Sequence, residues 1–92
     1  MFYTYILYNQ VEDELYAGYT ADLKRRFSEH VAGRVKSTKN GNVILLFYEA
    51  YYSEEDARRR ELYFKTTKGK RTLRLMLRES LAKVKHNHGP IV

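Results

Sequence analysis

Tyr3-Thr4-Tyr5-Ile6-Leu7, then Leu15-Tyr16-Ala17-Gly18-Tyr19, then Asp22-Leu23-Lys24-Arg25-Arg26-Phe27-Ser28-Glu29-His30 fill the first third of the chain. β-branched and aromatic residues dominate Phe2 to Tyr8 and nothing breaks the run, which predicts a strand. The polar Asn9 to Asp13 predicts a turn, and Glu14 to Tyr19 the returning strand, giving a hairpin with a loop of about 4–5 residues. Two-residue alternation puts Tyr3, Tyr5 and Leu7 on one face of the first strand. It puts Glu14, Tyr16 and Gly18 on one face of the second, where Gly18 lets another backbone or a phosphate approach closely.

A basic helix follows. Thr20 is the expected N-cap, Asp22 lies in the first turn where the dipole favours an anion, and Gly33 is the expected stop. Leu23, Phe27 and Val31 fall at i, i+4, i+8 and predict its core stripe. Arg26 and His30, also four apart, share one flank of that stripe, at the edge between core and solvent.

Ninety-two residues make one domain with a single modest core. With 43% hydrophobic and 14% aromatic residues and one proline, the composition is that of a folded protein. The absence of cysteine excludes disulfides, thiolate catalysis and Cys-ligated zinc. No basic leader precedes an apolar run, and Val43 to Tyr48 is too short to span a bilayer, so a cytoplasmic protein without a membrane partner is expected. Seventeen Lys and Arg against eleven Asp and Glu give a net charge of +6. The resulting pI near 9.6 suits a polyanionic partner.

Residues 33–42 read as a loop of about ten residues, long for a structureless connection. Its Arg34, Lys36 and Lys39, with Ser37 and Thr38, suit phosphate contact. Val43 to Ala50 is apolar on both faces and predicts a third strand, central or well covered. Ser53 with Asp56 predicts a capping box opening a second helix to about Thr66. Along it Ala57, Glu61 and Phe64 form the inward row, while Arg58, Arg59 and Arg60 face outward. A carboxylate in that row persists only if paired, hydrogen-bonded or bound to a cation. Glu61 therefore has two readings, a structural salt bridge with Arg26 or a metal-binding or acid–base group. After a basic connector, a third helix from about Lys70 to Ala82 carries Leu73, Met76, Leu77 and Leu81 inward. Residues 1–82 make the domain, and 83–92 lack periodicity and predict a frayed tail in which His86-Asn87-His88 is incidental.

Taken together, Tyr3-Thr4-Tyr5, Tyr16-Ala17-Gly18 and the Asp22 to His30 segment resemble the core of the GIY-YIG endonuclease family. Ala57-Arg58-Arg59-Arg60-Glu61-Leu62-Tyr63-Phe64-Lys65 is similar to that family's Ala…Arg-Glu…Lys helix. The resemblance covers residues 2 to about 80 and is closest to short, standalone, single-domain bacterial members. Tyr-x-Gly alone carries no weight; four elements in order, at the right spacing and on the right expected structure, do. The chain departs from the pattern in its first triplet, which lacks Gly and Ile, and in Ala17 of the second. It also has Arg71, Thr72 and Leu73 where many members carry an Asn.

The resemblance implies an α+β fold, a small three-stranded antiparallel sheet flanked by helices in the order β-β-α-β-α-α. It implies a metal-dependent endonuclease cutting DNA, with RNA not excluded, in the setting of DNA repair or recombination and with no obligate protein partner. Tyr5, Tyr16, Arg26, His30 and Glu61 would be the catalytic set. Glu61 would hold one Mg²⁺ or Mn²⁺, Arg26 would face the scissile phosphate, and His30 would contact phosphate or position the leaving group. Tyr5 or Tyr16 would be the general base, which requires nearby cations to depress a phenol pKa from about 10. Gly18, Arg25, Arg34, Lys36, Lys39 and Lys65 would contact the nucleic-acid backbone. The competing reading is a catalytically inactive nucleic-acid-binding module on the same scaffold, which would need the cations but no carboxylate facing phosphates.

Overall fold

A computed structural model of the chain describes residues 1–33 and 42–86. Its elements are β1 (Phe2–Asn9), β2 (Glu14–Thr20), α1 (Leu23–Val31), β3 (Val43–Tyr51), α2 (Glu54–Phe64), α3 (Thr67–Met76) and α4 (Arg78–His86). The three strands form one antiparallel sheet in the order β2-β1-β3. This is the expected α+β architecture with one more helix. Among the described residues no helix is long and apolar enough to cross a membrane.

The central strand is β1, and the more apolar β3 lies at an edge, against expectation. From Thr4 to Asn9 every residue of β1 is buried, on both faces. Its two polar members are satisfied there. Thr4 donates its hydroxyl to the Ala57 carbonyl at 2.6 Å, tying β1 to α2. The Asn9 side-chain oxygen accepts from the Val11 and Glu12 N–H groups and holds the hairpin turn. Hydropathy does not see polar groups that are satisfied in this way, so the pattern favoured the wrong strand.

Each face of the sheet carries a core. On one, Tyr5, Leu7 and Val43 pack with Leu23 and Phe27 of α1. On the other, Ile6, Tyr8 and Leu15 pack with Phe64, Leu73, Leu77 and Leu81 of the later helices. Helix α1 is turned from its expected orientation: Val31 is 49% exposed and His30, at 4%, is its buried residue. Leu23, Phe27 and His30 make the inward row at i, i+4, i+7, so a histidine occupies a position that apolar counting assigned to valine. The N-cap is Asp22, which accepts from the Arg25 N–H; Thr20 instead bonds the Asp22 backbone. Gly33 ends the helix as expected, at φ 74°.

Ser53 is the N-cap residue of α2, but its hydroxyl donates to Glu55 and the capping box with Asp56 does not form. Arg60 does not face outward. It makes a two-pronged pair with Glu49 of β3 at 2.9 and 3.3 Å and lies 4.3 Å over the Phe64 ring. The expected third helix is two, starting at Thr67 rather than Lys70 and broken at Leu77, whose backbone leaves the helical range. Its start is set by Thr66, whose hydroxyl oxygen accepts the Gly69 N–H. Gly69 permits the contact with α2, since a Cβ there would sit 1.9 Å from the Tyr63 carbonyl oxygen. Leucines four apart drift about 40° per step around a straight helix. The break at Leu77 lets Leu73, Leu77 and Leu81 all reach one core, and Met76, expected inward, is exposed. Helix α4 continues to His86, past the expected end at Ala82.

Candidate active site

Tyr5 points from the central strand toward α1, directly opposite Gly18 of β2. A Cβ at Gly18 would stand 2.2 Å from Tyr5 Cζ and 2.3 Å from its hydroxyl oxygen. The glycine thus makes room for the tyrosine ring to lie across β2, with its hydroxyl delivered to the far side. The close approach expected at Gly18 is real, and the approaching group is a side chain of the same protein.

That hydroxyl is the centre of a small array. It lies 2.8 Å from His30 Nε2 and accepts from Arg26 Nε at 3.4 Å. Arg26 can only donate, so among these partners only His30 Nε2 can take the tyrosine proton. Arg26 also donates NH1 to Glu29 at 3.0 Å, and its NH2 has no partner among the described residues. Burial holds the His30 imidazolium below its ordinary pKa, helped by the Arg26 charge, so the ring is neutral near pH 7. Burial likewise pushes the Tyr5 phenol up, with Arg26 and Lys65 opposing and Glu61 adding to the rise. The depression expected of a tyrosine base is therefore not present at Tyr5 in the free protein.

Tyr16 behaves differently. Its hydroxyl donates to Glu12 of the hairpin turn at 2.6 Å, and that bond, with burial and the carboxylate charge, pushes its pKa up to about 12. The Tyr16 phenol is engaged with a carboxylate of its own hairpin turn, whereas the Tyr5 hydroxyl faces His30 and Arg26.

A cleft of about 320 Å³ gathers these groups, lined by Tyr5, Arg26, His30, Glu61, Lys65, Lys70 and the run Leu15 to Tyr19. Five consecutive strand residues alternate faces, so a cleft touching all five runs along the outer edge of β2. Tyr5, Tyr16, Gly18, Arg26, His30, Glu61 and Lys65 are brought together there, as the sequence led one to expect. Arg25 is not; it is exposed and pairs with Asp22 and Glu29 on its own helix. Arg34, Lys36 and Lys39 lie outside the described residues.

Glu61 is the sole carboxylate of the cleft among the described residues and is 17% exposed. Its ion-pair partner is Lys65, one helical turn on, at 2.9 Å, and not Arg26. No cluster of three or more potential metal ligands occurs among the described residues. A lone carboxylate nevertheless suits Mg²⁺ or Mn²⁺, which keep several waters and use one or two carboxylates. The Lys65 ammonium already marks the place where a cation is favoured, so the residues fit a divalent ion held by Glu61.

The sequence assigns no site role to two further polar residues of the cleft, Lys70 and Tyr19. Lys70 falls where the expected connector meets the expected third helix, because the helix start at Thr67 depends on the Thr66 cap. Tyr19 carries no expected role beyond ending the second strand; its ring lies under the Arg58 guanidinium at 4.2 Å, a contact between distant segments. Thr72 and Leu73, at the place of the family's Asn, are engaged elsewhere: Thr72 bonds the Tyr63 hydroxyl at 2.9 Å and Leu73 is buried in the core.

The chain is 41% identical over 88 residues to a UPF0213 protein of Streptococcus pyogenes serotype M3, covering 94% of each. It is 34% identical over 79 residues to a UPF0213 protein of Pediococcus acidilactici, covering 82% of this chain and 80% of that one. No solved structure matches. The GIY-YIG catalytic domain matches residues 1–74, nearly the whole sheet-and-helix unit that builds the cleft, and the chain belongs to that nuclease-type family.

Proposed function

We propose that the chain is a metal-dependent endonuclease that hydrolyses DNA phosphodiester bonds in the β2-edge cleft, with one Mg²⁺ or Mn²⁺ on Glu61, and that it serves DNA repair or recombination. The observation that carries this reading is the meeting, in one cleft, of the Tyr5–His30–Arg26 array with a lone carboxylate. A module that only binds a polyanion gains nothing from Glu61 at that place.

The protein's own groups divide the work. The NH2 nitrogen of Arg26 is left to bond a phosphate oxygen, and its planar fork suits the charge that builds on phosphorus. Tyr5 takes a proton from the attacking water as its own proton passes to His30 Nε2. This relay needs no standing phenolate, so a raised Tyr5 pKa and a neutral His30 are compatible with it. The new P–O bond forms, the P–O3′ bond breaks, and the 3′-oxygen takes a proton from solvent in the open cleft. A divalent ion at Glu61, when bound, supplies Lewis-acid stabilisation of the charge on the phosphate and leaving oxygens.

Nicking of a supercoiled plasmid in Mg²⁺, Mn²⁺ or EDTA tests the reading. The parent protein should nick only with metal, and Glu61→Gln should lose at least about a hundredfold in rate while keeping its thermal melt. Nicking by Glu61→Gln at the parent rate, or nicking in EDTA, overturns it.

A further inference from the structure

Beside β2, α2 and α3 carry a row of cations with a direction, of which Lys65 and Lys70 line the cleft. At one end Arg58 of α2 lies over Tyr19. At the other, Arg74 of α3 donates to the Asp13 carbonyl in the hairpin turn at 3.2 Å. The α2–α3 wall therefore runs back along β2 from its last residues to the turn, and Lys65 and Lys70 fall between. Lys70 stands one helical turn before Arg74, on the same side of α3. It forms no ion pair among the described residues, although it lines a cleft whose sole carboxylate is close by.

Lys65 occupies that carboxylate. Its Nζ sits 2.9 Å from Glu61 Oε2, while 52% of its side chain is exposed. A divalent ion on Glu61 and the Lys65 ammonium compete for the same oxygens and repel each other. Lys65, on a flexible four-carbon stem, then needs another anion, and beside Lys70 the anion that fits is a phosphate. From Glu61 to Lys65 the helix rises about 6 Å, one to two nucleotide steps at about 3.4 Å each.

We propose that Lys65 and Lys70 form a second phosphate subsite, on the hairpin-turn side of the cut, and that a phosphate held there draws Lys65 off Glu61 and opens the carboxylate to the metal. The inference rests on the reading of Glu61 as a metal ligand. It makes Lys65 a positioning residue that links the binding of metal and of nucleic acid. By linkage, each ligand then strengthens the other by the same factor.

The test is the Mn²⁺ affinity of the full chain, read from the paramagnetic resonance signal of the free ion, with and without a short phosphorothioate duplex that resists cutting. In the parent the duplex should raise the affinity about tenfold, within the ordinary range of coupling between sites. Lys65→Met should bind Mn²⁺ about fivefold tighter than the parent without duplex, and the duplex should add little. Lys65→Arg should recover most of the parent's response, and Lys70→Ala should weaken it. Thermal melts establish that each variant is folded. A Lys65→Met protein with the parent's duplex-free affinity, or with the full duplex enhancement, overturns the inference. If Glu61→Gln loses Mn²⁺ while Lys65→Met behaves as the parent, this inference alone falls. If the parent binds no Mn²⁺, or Glu61→Gln binds it as the parent does, the reading of Glu61 falls and this subsite with it.

Discussion

The two walls of the cleft are prepared in opposite ways. On the α1 side, Tyr5, His30 and Arg26 are bonded to one another and to Glu29, and both Tyr5 and His30 are buried. On the α2–α3 side, among the described residues, Glu61 ion-pairs only with the half-exposed Lys65, and Lys70 makes no ion pair. One wall is finished before any ligand arrives; the other has partners it must exchange. Preorganised groups need no rearrangement at the moment of reaction, which suits proton transfer. Exchangeable pairs suit binding, because a ligand can take the place of an internal partner.

Tyr5 and Tyr16, two of the tyrosines that line this cleft, sharpen the contrast most. Tyr5→Phe removes the hydroxyl at the hub of the finished wall, and with it the bonds to His30 Nε2 and Arg26 Nε. Nicking should fall about a hundredfold or more, the range for loss of an acid–base group. Stability should fall by about 1–3 kcal/mol from the loss of these two bonds. Tyr16→Phe, which cuts only the bond to Glu12, should change nicking by less than about tenfold. Equal losses in the two variants, in parallel plasmid assays and urea melts, would break the distinction between them.

The finished wall was the more legible in sequence, and for a physical reason. Tyr5, Gly18, Arg26 and His30 lie within 26 residues of one another on a hairpin and the helix after it, where alternation and helical periodicity fix relative placement. Even so, the turn of α1 that buries His30 in place of Val31 was hidden, because counting apolar residues ranks valine first. The α2–α3 wall needed tertiary information. Glu61's inward position followed from spacing with Ala57 and Phe64, yet its partner did not come from α1. Lys65, four residues on, is the simpler helical neighbour. Arg60 turns inward only because Glu49 of β3 waits there, and Lys70 enters the cleft only because Thr66 restarts the chain as a helix. The edge position of β3 depends on pairing across the sheet, which its own residues do not encode.

Gly18 offers a way to damage the finished wall without touching its chemistry. In Gly18→Ala the new methyl would fall 2.2 Å from Tyr5 Cζ, well inside contact. Tyr5 sits in the core of the central strand, so the strain cannot be relieved by swinging a loose side-chain end into solvent. Overpacking of this kind costs about 1–3 kcal/mol. Nicking should fall with it, as the hydroxyl shifts from His30 and Arg26. Mn²⁺ binding at Glu61, on the other wall, should stay within about twofold. A variant with parent stability and parent nicking would show that the ring does not need the space the glycine leaves.

The smallest effect is a slope with pH. His30 is buried neutral, and burial, with the Arg26 charge, lowers its folded-state pKa below the ordinary value. Between the folded and unfolded pKa values the unfolded chain binds more protons than the folded one. Stability must therefore rise with pH across that window, at a rate of at most about 1.4 kcal/mol per pH unit for one proton. The His30 contribution is complete above the unfolded pKa of about 6.5, and it is lost progressively as pH falls from there through the folded pKa. Urea melts from pH 7.5 down to pH 5 should show this fall in the parent. His30→Gln, whose amide can still accept from Tyr5, should lower stability at pH 7.5 but flatten the slope below pH 6.5. An unchanged slope in that variant would mean that His30 does not enter the fold as a neutral ring, and the proton relay from Tyr5 would lose its acceptor.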